Sequence, residues 1–411
     1  MNEKIIKDKL VENFLKYLAI PSQSDDKKKE VPSSPGQWEM AKVLGADLED
    51  LGLVDIKINE YGVLQARLPK RGGKSRAIGW VAHLDTVDVG LSDRIHPQII
   101  KSYDGKDIKL NEEITFSIKD NPEVLAYIGD DIIFTDGTSV LGADNKAAIA
   151  NIMTALWFLK ENPDIDHADI FIAFIPDEEI GLRGARKIDF DEFKVDYAYT
   201  IDCCELGELV YETFNAASGT LKVRGVSAHP MSAKGNLVNP IMIAHDFIAM
   251  LDRAKMPENT ENREGYIWLT DIKSDVLNLR LDFNIRNHDR EKFEASKEYL
   301  YKITDLLKER YKKAQIEIEI SDVYDNIRDS MNEENKVAVE RLAAIFKKLG
   351  IEEKIIPMRG GTDGSFLSRK GIFTPNYFTG AHNFHSNKEF LPIDSFYKSF
   401  LVTLNLMQDD F

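Results

Sequence analysis

The chain has 411 residues, of which 43% are hydrophobic and 30% charged, a composition typical of a globular protein with two or three domains. Its formal net charge of −16 repels nucleic-acid phosphates and anionic lipid, so we expect neither nucleic acid nor a membrane as a partner. Residues 1–10 lack the apolar region of a secretory signal, and no apolar stretch is long enough to span a bilayer. We therefore expect a cytoplasmic protein.

Two helical segments are followed by short apolar runs. Apolar residues recur at helical spacing over 4–18 and 38–51, and again over 147–159. Three later runs are continuously apolar rather than alternating, which indicates strands covered on both faces: 78–82, 170–175 and 197–201. The pattern predicts an α/β fold with a mixed, mostly parallel sheet and helices on both faces.

A different pattern occupies residues 216–322. Its order of strand, helix, strand, strand, helix and strand is that of a ferredoxin-like α+β module. After residue 322 the pattern of the first 201 residues returns, with helices predicted over 335–349 and 393–407. We therefore predict a catalytic domain of residues 1–213 and 327–411, interrupted by an inserted lid or dimerisation domain of residues 214–326.

Histidine and carboxylate side chains cluster where the apolar runs end. Taken singly, each cluster also fits a structural histidine or a solvated acidic turn. Together they supply enough imidazole and carboxylate ligands for two metal ions, with carboxylates left for a base and for orienting a ligand. The residues are His83, Asp85, Asp144, Glu178, Glu179, Asp202 and His385.

Motifs along nearly the whole chain resemble those of the peptidase T family, the tripeptide aminopeptidases of the co-catalytic dizinc metallopeptidase superfamily. The first three motifs are shared with the wider superfamily, and the others point to the tripeptidase branch. They are Ala82-His-Leu-Asp-Thr-Val87, Leu141-Gly-Ala-Asp-Asn-Lys146, Pro176-Asp-Glu-Glu-Ile-Gly181, Phe214-Asn-Ala-Ala-Ser218, Arg359-Gly-Gly-Thr-Asp-Gly364 and Asn383-Phe-His385.

The resemblance implies a role for each clustered residue. His83 and Asp202 would bind one zinc ion, and Glu179 and His385 the other. Asp144 would bridge the two ions and be followed by a cis peptide bond. Asp85 would accept the ring N–H of His83. Glu178 would be the general base that takes a proton from a metal-bridging water.

Three further residues of the family pattern lie in or near the inserted domain. His229 would stabilise the oxyanion, either in its own subunit or across a dimer, and Arg286 and Arg359 would bind the substrate carboxylate. A surface arginine in a salt bridge is an equal alternative for Arg286, since Asn287 replaces the usual aspartate after it. Cys203 and Cys204 replace usual glycines, and His382 is a rival of His385 as a ligand.

The sequence thus predicts a metal-dependent aminopeptidase that hydrolyses the first peptide bond of unblocked tripeptides. A dipeptidase or an N-acyl amino acid deacylase of the same superfamily, and a non-catalytic peptide- or metal-binding protein, are the alternatives. Two zinc ions are the expected cofactors, although such ligands also accept manganese or cobalt. Short unblocked peptides are the expected partners, together with a possible homodimer formed through the inserted domain.

Overall fold

The computed structural model describes residues 2–408. Within them the chain forms eight α-helices: α1 (Glu3–Leu18), α2 (Pro35–Asp50), α3 (Ala143–Glu161), α4 (Pro240–Ala249), α5 (Arg290–Arg310), α6 (Val337–Leu349), α7 (Asp363–Arg369) and α8 (Ile393–Gln408). None of these helices is both long and apolar enough to cross a membrane.

The same residues form seventeen strands: β1 (Val54–Ile58), β2 (Leu64–Leu68), β3 (Ala77–His83), β4 (Pro97–Ile100), β5 (Ile108–Lys109), β6 (Thr115–Phe116), β7 (Ile132–Thr135), β8 (Asp169–Ile175), β9 (Tyr197–Cys203), β10 (Glu208–Glu212), β11 (Asn215–Arg224), β12 (Tyr266–Ser274), β13 (Asn278–Asn287), β14 (Gln315–Tyr324), β15 (Lys354–Pro357), β16 (Asn376–Phe378) and β17 (Phe390–Pro392).

The first of two compact units comprises Met1–Tyr211, Met331–Ile356 and Thr362–Phe411. It contains an eight-stranded sheet of order β1-β2-β8-β3-β9-β16-β10-β15. Its four central strands, β8, β3, β9 and β16, pair in parallel, whereas the β1–β2, β2–β8 and β16–β10 pairs are antiparallel. The continuously apolar runs form the buried central strands. The carboxyl ends of the parallel strands meet at one edge of the sheet, where His83 of β3 pairs with Ile175 of β8.

Helix α3 is the central helix of this unit. It is buried along most of its length and packs against β3, β9, α1 and α8. A separate sheet of order β17-β7-β4 has its own small core, which includes Phe116, Phe134 and Phe390. This sheet connects residues near position 132 with the segment that follows His385.

The second unit comprises Glu212–Ser330 and Pro357–Gly361. Its four-stranded antiparallel sheet has the order β12-β13-β11-β14, the strand order of a ferredoxin-like module, and α4 and α5 pack against it. The short segment Pro357–Gly361 lies in this unit, whereas the sequence analysis assigned it to the catalytic domain. Two main-chain hydrogen bonds attach the segment to this unit. The N–H of Met358 donates to the oxygen of Glu212, and the N–H of Phe214 donates to the oxygen of Gly360.

The fold class predicted from the sequence, an α/β domain with an inserted ferredoxin-like module, is confirmed. The strands predicted over 78–82, 170–175 and 197–201 are β3, β8 and β9. The sequence analysis did not identify the short strands β4 to β7 or the seven-residue helix α7.

Candidate metal centre

Four predicted metal ligands lie together in the first unit. His83 ends β3, Asp144 lies in the first turn of α3, Glu179 follows β8, and His385 lies in the loop before β17. Nε2 of His83 is 2.9 Å from Oδ1 of Asp144, and Nε2 of His385 is 3.0 Å from Oδ2 of the same residue. Nε2 of His385 is also 2.9 Å from Oε1 of Glu179. Asp144 therefore lies between two imidazoles.

The donor atoms of this cluster fit a metal ion. One ligand atom from each of His83, Asp144 and Glu179 lies within 4.8 Å of the other two. Oε1 of Glu179 is buried, and apart from the imidazole of His385 at 2.9 Å it has no hydrogen-bond partner. A buried carboxylate oxygen without a hydrogen bond is costly unless a cation compensates it. Imidazole nitrogen and carboxylate oxygen are the ligands that zinc and similar divalent ions take.

The pKa values of the clustered side chains also indicate that this site needs positive charge. Contacts with Asp144 and Glu179 raise the pKa of His385 to about 11. Burial opposes a charge on His83, but its contacts with Asp144 and Asp85 raise the pKa of this imidazole well above the usual value. Burial and the nearby Asp144 raise the pKa of Glu179 to about 7. Protons on these groups balance the buried carboxylates, which is what a bound cation would do.

Asp202, the remaining predicted ligand, lies next to the cluster at the end of β9. Its Oδ1 accepts a hydrogen bond of 3.2 Å from Nδ2 of Asn145, and its main-chain N–H donates to Oδ1 of Asn376. Burial and the neighbouring Asp144 raise the pKa of Asp202 well above the usual value. The peptide bond between Asp144 and Asn145 is cis, as the resemblance implies.

Asp85 contacts more of the site than the resemblance implies. The ring Nδ1 of His83 lies 3.0 Å from the main-chain oxygen of Asp85 and 3.3 Å from its Oδ1. The two carboxylate oxygens of Asp85 accept the main-chain N–H groups of Glu178 and Glu179, at 3.0 and 3.2 Å. A single buried side chain therefore orients the predicted ligand His83 and holds the turn that carries the predicted base.

Glu178 lies in that turn, directly before the predicted ligand Glu179. Burial of its carboxyl, followed by the nearby Asp363, raises the pKa of Glu178 well above the usual value. Asp363 opens α7 and is only 3% exposed, and its Oδ1 has no hydrogen-bond partner. Burial raises the pKa of Asp363 to about 7. The sequence analysis missed this acid, although it lies in the motif Arg359-Gly-Gly-Thr-Asp-Gly364.

The rival ligand His382 is engaged elsewhere in the first unit. Its Nε2 is 2.7 Å from the hydroxyl of Tyr127, and its ring stacks on Phe390 with the two ring centroids 4.7 Å apart. Cys203 and Cys204 are free thiols. Burial raises the pKa of both thiols above the usual value, which disfavours the nucleophilic thiolate form.

The other predicted site residues belong to the second unit. His229 is exposed, and its Nδ1 accepts the N–H of Met231. The guanidinium of Arg286 donates to the carbonyls of Ala217 and Ile285. Arg359 lies against the rings of Phe214 and Tyr266, and it donates to the main-chain oxygens of Asn262 and Glu264. The predicted roles of His229, Arg286 and Arg359 in substrate binding stay predictions.

Comparison with known proteins places this chain in a family. Residues 142–409 match the family model described as Peptidase family M20/M25/M40. A peptidase T-like protein of Yersinia pestis is 49% identical over 402 residues, which cover 97% of each chain. Peptidase T of Geobacillus sp. strain WCH70 is 44% identical over 98% of each chain. The crystal structure of aminopeptidase PepT from Bacillus cereus ATCC 10987 superposes with a TM-score of 0.77 at 22% identity, over 98% of each chain.

The chain therefore belongs to peptidase family M20/M25/M40. The resemblance to peptidase T is confirmed, and so is the prediction of a hydrolytic enzyme of the metallo-aminopeptidase class.

Proposed function

We propose that this enzyme removes the N-terminal residue from unblocked tripeptides and that it uses two metal ions. The observation that carries the proposal is the convergence of His83, Asp144, Glu179 and His385 beside Glu178 at one edge of the sheet. The tripeptide substrate is supported by the resemblance of the motifs to those of tripeptide aminopeptidases. Cleavage of a free tripeptide is therefore the reaction to test first.

Five residues of the first unit would hold the metals. His83 and Asp202 would bind one ion, Glu179 and His385 the other, and Asp144 would contact both. Bound ions would polarise the scissile carbonyl and acidify the attacking water. Zinc is the metal we propose, and the same ligands suit manganese or cobalt.

Glu178 would be the general base in this reaction. Its main-chain N–H is bound to Oδ1 of Asp85, so the turn that carries its carboxyl has a defined position. The carboxylate would take a proton from the attacking water and later deliver it to the leaving amine. Neighbouring residues project in different directions, so Glu179 can bind a metal while Glu178 faces the water.

The second unit would supply substrate recognition. We assign His229 to the oxyanion, and Arg286 and Arg359 to the carboxylate of the peptide. The edge strand β12 exposes Trp268 and Ile272 by 50% and 53%, which supports a homodimer formed through this unit. A cytoplasmic location stays a prediction.

The test compares three substrates: a free tripeptide, the matching dipeptide and the N-acetylated tripeptide. Each is incubated with zinc-loaded enzyme and with chelated enzyme. We expect metal-dependent release of the N-terminal residue from the free tripeptide alone. Cleavage of the dipeptide or of the blocked peptide would support a dipeptidase or a deacylase instead. A folded, zinc-loaded protein that cleaves none of them would be a binding protein.

A further inference from the structure

A buried carboxylate that the proposed chemistry does not use binds the turn that leads into Asp144. Glu389 is 1% exposed and precedes β17. Its Oε2 accepts the main-chain N–H groups of Leu141 and Gly142 at 2.7 and 2.9 Å, and its Oε1 accepts that of Asp144 at 3.2 Å. One side chain therefore binds three N–H groups of the turn that presents Asp144.

A carboxylate suits this arrangement better than its amide. Three N–H donors converge on two oxygens, and an ionised carboxylate is an acceptor at both of them. A glutamine would offer one oxygen and one NH₂ group, so the NH₂ group would face a main-chain donor. The turn itself is tight, because Gly142 has a φ of +73°, and a Cβ there would lie 3.0 Å from the side chain of Ile95. The N–H groups therefore have little freedom to find other partners.

Glu389 lies on the same loop as the ligand His385. The loop 383–389 is closed at its base, because His382 and Phe390 exchange main-chain hydrogen bonds of 2.9 and 3.2 Å. Within the loop, Nδ2 of Asn383 donates to Oε1 of Glu123 at 2.6 Å, which fixes its start. His385 contacts the carboxylate of Asp144, while Glu389 binds the main-chain N–H of the same residue. The loop thus holds Asp144 from two sides.

We propose that Glu389 is a positioning residue that sets the distance between Asp144 and His385, and through it the affinity of the metal site. The inference rests on the proposed metal-dependent function. It extends that function because Glu389 would act without touching a metal ion or a substrate. Residues that orient metal ligands in this way typically change metal affinity by about 10- to 100-fold when they are mutated.

The experiment measures binding of zinc alone to chelator-stripped protein by calorimetry. Glu389→Gln is compared with the wild type and with Glu212→Gln. Glu212 is a matched control, since it is a carboxylate in the second unit that is 4% exposed and paired with Arg263 and Arg328. We expect Glu389→Gln to weaken zinc binding by about 10- to 100-fold. Glu212→Gln should lower the melting temperature and leave zinc affinity unchanged.

Several outcomes separate the inference from the function on which it rests. Folded Glu389→Gln that binds zinc as tightly as the wild type would overturn the role of Glu389 alone. Equal weakening by Glu212→Gln would also overturn it, since general destabilisation would then explain both variants. A wild-type protein that binds no zinc would overturn the proposed function itself.

A second variant covers the case in which Glu389→Gln does not fold. Glu389→Asp keeps the charge but shortens the side chain, so it reaches fewer of the three N–H groups. With cobalt in place of zinc, its visible absorption spectrum should differ from that of the wild type, because the ligand geometry has changed. An unchanged cobalt spectrum and affinity would overturn the inference.

Discussion

Glu178 and Glu179 are adjacent, yet the structure places them in different surroundings. Oε1 of Glu179 lies beside the imidazole of His385. Burial of the Glu178 carboxyl, followed by the nearby Asp363, raises its pKa well above the usual value. The proposed function assigns Glu179 to a metal ion and Glu178 to proton exchange with water, and this assignment can be tested by replacing Glu178 alone.

Glu178→Gln should lower kcat by about 10²- to 10⁴-fold, because an amide of the same shape cannot accept the proton from water. Zinc content should stay at the wild-type value, because the side chain is not assigned to a metal. Steady-state kinetics on a free tripeptide and elemental analysis of the same sample check both parts. A variant that keeps a tenth or more of the turnover would rule out Glu178 as the base.

The two histidines His382 and His385 should differ in what they contribute. His385→Gln should reduce the zinc bound per chain, since its Nε2 contacts both Asp144 and Glu179. His382→Gln is the matched control, and it should keep full zinc content because its ring is bound to Tyr127 and stacked on Phe390. Zinc content after dialysis measures the difference. Loss of zinc from the His382 variant and not from the His385 variant would reverse the ligand assignment.

At the scale of elements, the turn after β8 is attached to the segment that leads into α2. Asp177 has a φ of +55° and is fully buried. Its carboxylate accepts the N–H and the hydroxyl of Ser33 and the side-chain amide of Gln37. These contacts hold the turn that carries Glu178 and Glu179, in addition to the contacts of Asp85.

Ser33→Ala removes the hydroxyl that donates to Asp177 at 2.5 Å. We expect the free energy of unfolding to fall by about 1.5 to 3 kcal/mol, the usual contribution of a hydrogen bond to a charged group. The neighbouring Ser34→Ala should cost less, since that serine lies at a partly exposed position and only accepts a bond from Gln37. Urea denaturation of both variants checks the comparison. Equal losses would show that the Asp177 contact is not what stabilises the turn.

The sequence predicted the central strands and the acids and histidines at their ends because each signal is local. Continuous apolar runs mark β3, β8 and β9, and His83, Glu179 and Asp202 follow or end them. The sheet β17-β7-β4 was missed, because its strands have three or four residues and β17 pairs with a segment far away in the chain. The contacts of Asp85 with the turn after β8, and those of Glu389, were missed for a related reason. Their partners are main-chain N–H groups. Every residue except proline has such a group, so the residue types in the sequence do not indicate which ones are bound.

At the scale of the whole molecule, each unit has its own hydrophobic core. The core of the second unit is built from residues such as Leu221, Phe247 and Phe283. All five proposed metal ligands lie in the first unit. A ligand that binds only the folded state stabilises the part of the protein that must be folded to bind it. Zinc should therefore stabilise the first unit more than the second.

Amide hydrogen exchange with and without zinc can measure this difference. When free zinc is at 100 times its dissociation constant, each of the two proposed sites should add about 2.7 kcal/mol to the stability of the first unit, and each should slow the exchange of its slowest amides about 100-fold. Amides of α3 report on this unit, because the helix is buried and carries Asp144 in its first turn. Amides of β11 and β13 report on the second unit and should exchange at the same rate with and without zinc. Equal slowing in all three elements would mean that the two units unfold as one cooperative structure, whereas no slowing in α3 would contradict a metal site at Asp144.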